Sequence, residues 1–138
     1  MTEKPILLVD FDGVIHSYTS GWKGARIIPD PPVPGAITFL LYAMRYFQVC
    51  VYSSRSNQWG GRRAMKNWLF VQIANHVGKG KTSGSLILVD PIKDLLSLIS
   101  FPKKKPAAFL TIDDRAMRFT GTWPDPRDLL NFKPWNKT

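Results

Sequence analysis

Ile6-Leu7-Leu8-Val9-Asp10-Phe11-Asp12-Gly13-Val14 is the stretch whose reading decides the fold. Four consecutive apolar residues followed by acid and glycine predict a strand buried on both faces, as in a parallel sheet. Asp10 and Asp12 stand two apart, so extended backbone would send both carboxylates to the same side. Gly13 then lets the chain leave the strand sharply. Open parallel sheets bind ligands at the carboxyl ends of their strands. Two carboxylates held there repel each other and resist desolvation, and a hard cation such as Mg2+ relieves both costs. The alternative is a pair of solvated aspartates that form a turn.

The remaining chain predicts the partners of that strand. Ile37, Leu40, Leu41, Met44 and Phe47 follow helical spacing after Pro34-Gly35. Gln48 to Tyr52 then reads as a second buried strand, closing at Ser53-Ser54-Arg55. Strand, helix and strand in this order predict parallel pairing through a right-handed crossover. Met65, Trp68, Leu69, Gln72 and Ile73 mark a second helix, with Arg62, Arg63 and Lys66 on its exposed face. Residues 86–89 read as a short strand and 91–99 as a third helix, with Asp90 as its cap. Residues 107–112 read as another buried strand, which ends in Asp113-Asp114. The tail from Gly121 is expected to pack over the core through Trp123, Phe132 and Trp135.

Two segments lack periodicity. Residues 15–35 are long for a structureless connection and predict a flap or small hairpin over the site. They carry His16, Trp22, Lys23 and Arg26, of which the last three suit a surface that stacks a base and meets phosphate. A lone loop histidine such as His16 usually has no catalytic role. The tract 78–85 is basic and rich in glycine and serine, but it does not complete a phosphate loop, because its first glycine is misplaced and no strand precedes it.

The 138 residues predict one domain, 1–138. Hydrophobic content is 44%, and no run approaches the ~20 apolar residues of a membrane span. The start of the chain lacks an apolar signal segment, and Cys50 is the lone cysteine, so a cytoplasmic setting is expected, without membrane association. The formal charge of +9 draws polyanions, which makes nucleic acid or a phosphorylated substrate a natural partner. Solubility alone is the competing explanation of that charge.

Asp10/Asp12, Ser53, the lysines 103–105 and Asp113/Asp114 are together the parts needed to transfer a phosphoryl group. In this order they resemble the haloacid dehalogenase superfamily of hydrolases. Asp10-Phe11-Asp12-Gly13 matches its first motif, Ser53 its second, one of the lysines its third and Asp113-Asp114 its fourth. Arg115, Phe119 and Gly121 add a likeness to small bacterial and phage-borne members. The resemblance implies an α/β, doubly wound, Rossmann-like parallel sheet with helices on both faces and a short flap in place of a large cap. It implies a phosphomonoesterase in which Asp10 attacks phosphorus and Asp12 moves protons. Ser53 and a lysine, Lys105 before Lys104, would meet the phosphoryl group. Magnesium would lie on Asp10, the carbonyl of Asp12, Asp113 and Asp114. Ser54, Arg55, Lys104, Trp22, Arg62 and Arg63 are the expected substrate contacts. The substrate is a nucleic-acid end, such as a 3′-phosphate, or a small phosphorylated metabolite or nucleotide. A non-catalytic binding module for nucleic acid or protein is the alternative from another class. A receiver domain is disfavoured by the order of its acids.

Overall fold

The computed structural model describes residues 3–78 and 89–137. The chain forms β1 (Ile6–Val9), α1 (Ala36–Ala43), β2 (Gln48–Val51), α2 (Gly61–Val77), α3 (Val89–Ser97), β3 (Ile99–Ser100), β4 (Leu110–Ile112) and α4 (Pro126–Leu129). The four strands make one sheet in the order β3-β2-β1-β4. Every pairing is parallel, with Leu7 opposite Val49 and Leu110, and Val49 opposite Ile99. The architecture is therefore α/β with an all-parallel sheet.

The central strands bury both faces, as their unbroken apolar sequence requires. Leu7, Val9, Val49 and Val51 join Ile37, Leu40, Met65, Leu69, Ile73 and Ile92 in one core. Leu8 and Cys50 alternate to the other face and are buried as well. Each fully buried aliphatic side chain of this kind contributes roughly 1.5–3 kcal/mol. The thiol of Cys50 is free, and burial raises its pKa. It is a small core residue.

The steps β1 to β2 and β2 to β3 run in one direction across the sheet. Right-handed crossovers then put α1 and the α2–α3 pair on the same face, in keeping with the contact of α1 with α2 and of α2 with α3. Residues 101–109, which lead back to β4, contain no helix. The helices expected on both faces are thus not supplied by this return.

Several expected elements differ in extent. Ile99 belongs to β3 rather than to the third helix, because pairing with Val49 captures it. Val89 opens α3 instead of ending a strand, and Asp90 lies inside the first turn of that helix. The rest of the expected strand, and the basic tract beyond Gly78, lie outside the described residues. The last strand is three residues long at the sheet edge, and Leu110 and Thr111 are exposed rather than buried. The tail packs only in part: Trp123 is 83% exposed and Phe132 is exposed too. Trp135 does dock, donating from Nε1 to the carbonyl of Gly13 at 2.8 Å. Among the described residues no helix is long and apolar enough to cross a membrane.

Candidate functional site

The carboxyl ends of β1 and β4 bring three aspartates together. The amide of Asp10 donates to the carbonyl of Ile112 at 2.9 Å, which ties the end of β1 to the end of β4. One carboxylate oxygen each from Asp10, Asp113 and Asp114 lies within 4.8 Å of the others. Burial raises the carboxyl of Asp10 to about 8, with the charge of Asp113 and a hydrogen bond to Asp114 acting in the same direction. The Phe11 amide opposes this shift without cancelling it. Oδ1 of Asp114 is buried and has no hydrogen-bond partner.

Gly13 makes this clustering possible. It holds φ at 84°, and a Cβ there would collide with Oδ2 of Asp114. The acidic side chain lies directly against the glycine backbone. Three oxygen donors with excess negative charge and an orphaned carboxylate oxygen suit a hard divalent cation such as magnesium. Asp10, Asp113 and Asp114 are the residues that would hold it.

The carboxylate of Asp12 belongs to a different constellation. Regular extension ends at Val9, and the Phe11 carbonyl accepts from the amides of Ile15 and His16, each at 2.9 Å. That turn removes the alternation that would have pointed both aspartates the same way. Oδ1 of Asp12 lies 2.9 Å from Nδ1 of His16 and 3.1 Å from Nη2 of Arg55, and Oδ2 lies 2.9 Å from Nε of Arg55. Burial alone would raise this carboxyl, but the hydrogen bonds from His16 and Arg55 and the Arg55 charge outweigh it and hold it below the ordinary carboxylate range.

His16 is fully buried. The amide of Asp30 donates to its Nε2 at 3.1 Å, so Nε2 is the acceptor and Nδ1 carries the proton given to Asp12. Asp30 in turn accepts from the amide and hydroxyl of Ser20. Backbone bonds from Ser17 to Pro31 and from Val33 to Ile15 close the base of the flap. The expected flap is thus a loop pinned at its neck, with His16 connecting it to the strand end.

Arg55, expected as a substrate contact, is 0% exposed, and its side-chain hydrogen bonds go to Asp12 and to the flap. Nη1 donates to the carbonyls of Gly24, Ala25 and Ile27, at 2.8, 2.9 and 3.1 Å. Its guanidinium carbon lies 4.8 Å from the centre of the Trp22 ring, so Trp22 covers this buried cation. Arg55 is a positioning residue that joins β1, the flap and the end of β2.

Ser53 is buried, and its Oγ accepts from the amide of Arg55 at 3.0 Å while facing Sδ of Met65 at 3.6 Å. Its hydroxyl shapes the loop. Ser54 is exposed, and its carbonyl accepts from Gln58. Lys103, Lys104 and Lys105 are all exposed, and no hydrogen bond or ion pair joins any of them to the aspartates among the described residues.

Arg62 and Arg63 lie apart from the acids, in a groove of about 980 Å³ over the ends of β2 and β3. Arg26, Trp59 and Lys103 line the same groove. Nη1 of Arg62 donates to the carbonyl of Phe101 at 3.2 Å.

Sequence reasoning missed the joint role of His16, Asp30 and Arg55. The only local signal was the four-residue spacing of Asp12 and His16, whereas the contacts of Arg55 with Asp12 and the flap span 28 to 43 positions. Compared with known families, curated proteins and solved structures, the chain matches no family model, no curated protein and no solved structure.

Proposed function

We propose that this chain is a magnesium-dependent phosphomonoesterase of the haloacid dehalogenase type on a Rossmann-like sheet, with Asp10 as nucleophile. The observation that carries the reading is the trio Asp10, Asp113 and Asp114, with one oxygen from each within 4.8 Å. A bound magnesium ion would neutralise that trio and favour the ionised, nucleophilic form of Asp10. An oxygen of Asp10 then attacks phosphorus, the bond from phosphorus to the ester oxygen breaks, and water later releases phosphate from the aspartyl-phosphate.

Asp12 enters this chemistry with its carboxyl held ionised by His16 and Arg55. In that state it has no proton to give to the leaving oxygen, and it can accept one from the attacking water only as a weak base. The leaving group must then depart with little acid assistance, which favours esters of acidic alcohols and phenols. Among the described residues no hydrogen bond or ion pair joins Lys103, Lys104 or Lys105 to Asp10, so the lysine of this reading would have to approach when the phosphoryl group is bound.

The test is a panel of phosphomonoesters, including 3′- and 5′-phosphorylated oligonucleotides and aryl phosphates, assayed with and without magnesium. Magnesium-dependent phosphate release that Asp10→Asn abolishes supports the reading. The absence of such release from every ester rejects it.

A second reading is a non-catalytic binding module. It is favoured by the commitment of Asp12 to Arg55 and His16 and by the distance of the lysines from bonding contact. It expects ligand binding by the folded protein without turnover of any member of the panel.

A further inference from the structure

We propose that the groove over the ends of β2 and β3 binds single-stranded nucleic acid, with one base stacked on Trp59. The inference rests on the groove alone and stands or falls independently of the phosphatase reading.

Four cationic side chains, Arg26, Arg62, Arg63 and Lys103, line a groove to which no carboxylate contributes among the described residues. It also receives the start of α2, a seventeen-residue helix with no acidic residue in its first turn, so the helix dipole adds to the positive potential. Such a surface attracts a chain of phosphates, and each neutralised phosphate releases counterions.

Charge alone does not select among polyanions, but Trp59 does. Its ring is 82% exposed, an expensive placement for a tryptophan that only fills space. The guanidinium of Arg26 lies 4.6 Å from the ring centre on one side. Gly60 permits that approach, since a Cβ there would meet Cδ of Arg26 at 2.6 Å. The flap residue therefore holds the ring in place and leaves the opposite face to solvent. A ring braced by a cation beside further cations is a platform for a base whose backbone runs along Arg62, Arg63 and Lys103. Bases within a duplex are stacked on one another and cannot use it. Acidic peptides supply charge but no planar group of this kind. Asn57, Gln58 and Asn67 add amide groups able to meet base edges.

The experiment measures binding by fluorescence anisotropy, using labelled oligothymidylate and oligouridylate without terminal phosphates, in EDTA and over a salt series. Omitting both magnesium and phosphomonoester keeps the result separate from catalysis. The DNA and RNA arms report whether the 2′-hydroxyl matters. Trp59→Ala is expected to weaken binding roughly 5- to 100-fold, the range for loss of one stacked base. Trp59→Tyr should retain most of it. Arg63→Ala with Lys103→Ala should lower the slope of log affinity against log salt by about 0.7 for each cation removed. All three substituted positions are exposed, and circular dichroism verifies folding. No binding to either strand, binding unchanged by these substitutions, or equal affinity for duplex DNA or polyglutamate would overturn the proposal.

Discussion

The guanidinium of Arg55 grips the carboxylate of Asp12 through two nitrogens, Nε to Oδ2 at 2.9 Å and Nη2 to Oδ1 at 3.1 Å. The cation is fully buried and the acid nearly so, with 13% of its side chain exposed. Paired in this geometry the two charges satisfy each other, whereas either left alone would be costly. The pair also reaches outward, because the third nitrogen of Arg55 gathers three flap carbonyls.

Removing the cation should therefore loosen the flap as well as the acid. Arg55→Ala is expected to cost about 3–5 kcal/mol of unfolding free energy, the range for stranding one member of a buried pair. Arg55→Lys should recover only part of this, since an ammonium group cannot bridge both oxygens and the flap at once. In a double-mutant cycle with Asp12→Asn, denaturant unfolding should give a coupling above about 1 kcal/mol. Additive effects would mean that the contact contributes nothing of its own.

The metal-free acidic trio should give an unusual pH dependence. Asp10 titrates near 8 in the folded protein, against an ordinary value of 3.8. The folded state therefore holds more protons than the unfolded state between these values, and stability falls as pH rises through that window. Asp10→Asn should flatten this decline and leave the metal-free protein more stable at pH 8 by at least about 1 kcal/mol. Magnesium should stabilise wild type most at the alkaline end. Thermal melts in EDTA and in magnesium check both points, and a flat wild-type profile in EDTA would contradict them.

Gly13 offers a substitution whose effect is steric. With φ at 84° and Asp114 against its Cα, Gly13→Ala must both strain the backbone and displace the acid. The conformational cost alone is about 1–2 kcal/mol. The folded variant should bind magnesium at least tenfold more weakly by calorimetric titration. Unchanged affinity would show that the position of Asp114 is not set by this contact.

If the chain is a phosphomonoesterase of nucleic-acid ends, salt should separate its substrates. Turnover of a 3′-phosphorylated oligonucleotide should fall steeply with ionic strength, while an aryl phosphate should respond far less. Arg63→Ala should flatten the first response and leave the second alone. Parallel, shallow profiles for both substrates would return the charge of +9 to a role in solubility.

The sequence by itself determined the sheet and the position of its acids. The apolar runs at residues 6–9 and 49–51 can be buried only as central strands, and Asp10, which follows the first of them, must emerge at the carboxyl edge. Gly13 marked the turn because a positive φ there favours glycine. What β4 would look like was less legible: its apolar composition suggested burial, but its place at the edge was fixed by pairing with β1 alone. Only the tertiary structure decided that Asp10 and Asp12, two positions apart, would face different partners. That choice depends on Asp113 and Asp114 reaching Asp10 from β4, and on Arg55 reaching Asp12 from the end of β2. Burial decided it too, for a guanidinium removed from water must find a carboxylate and carbonyls wherever the chain brings them. Local spacing carries no record of partners about forty residues away.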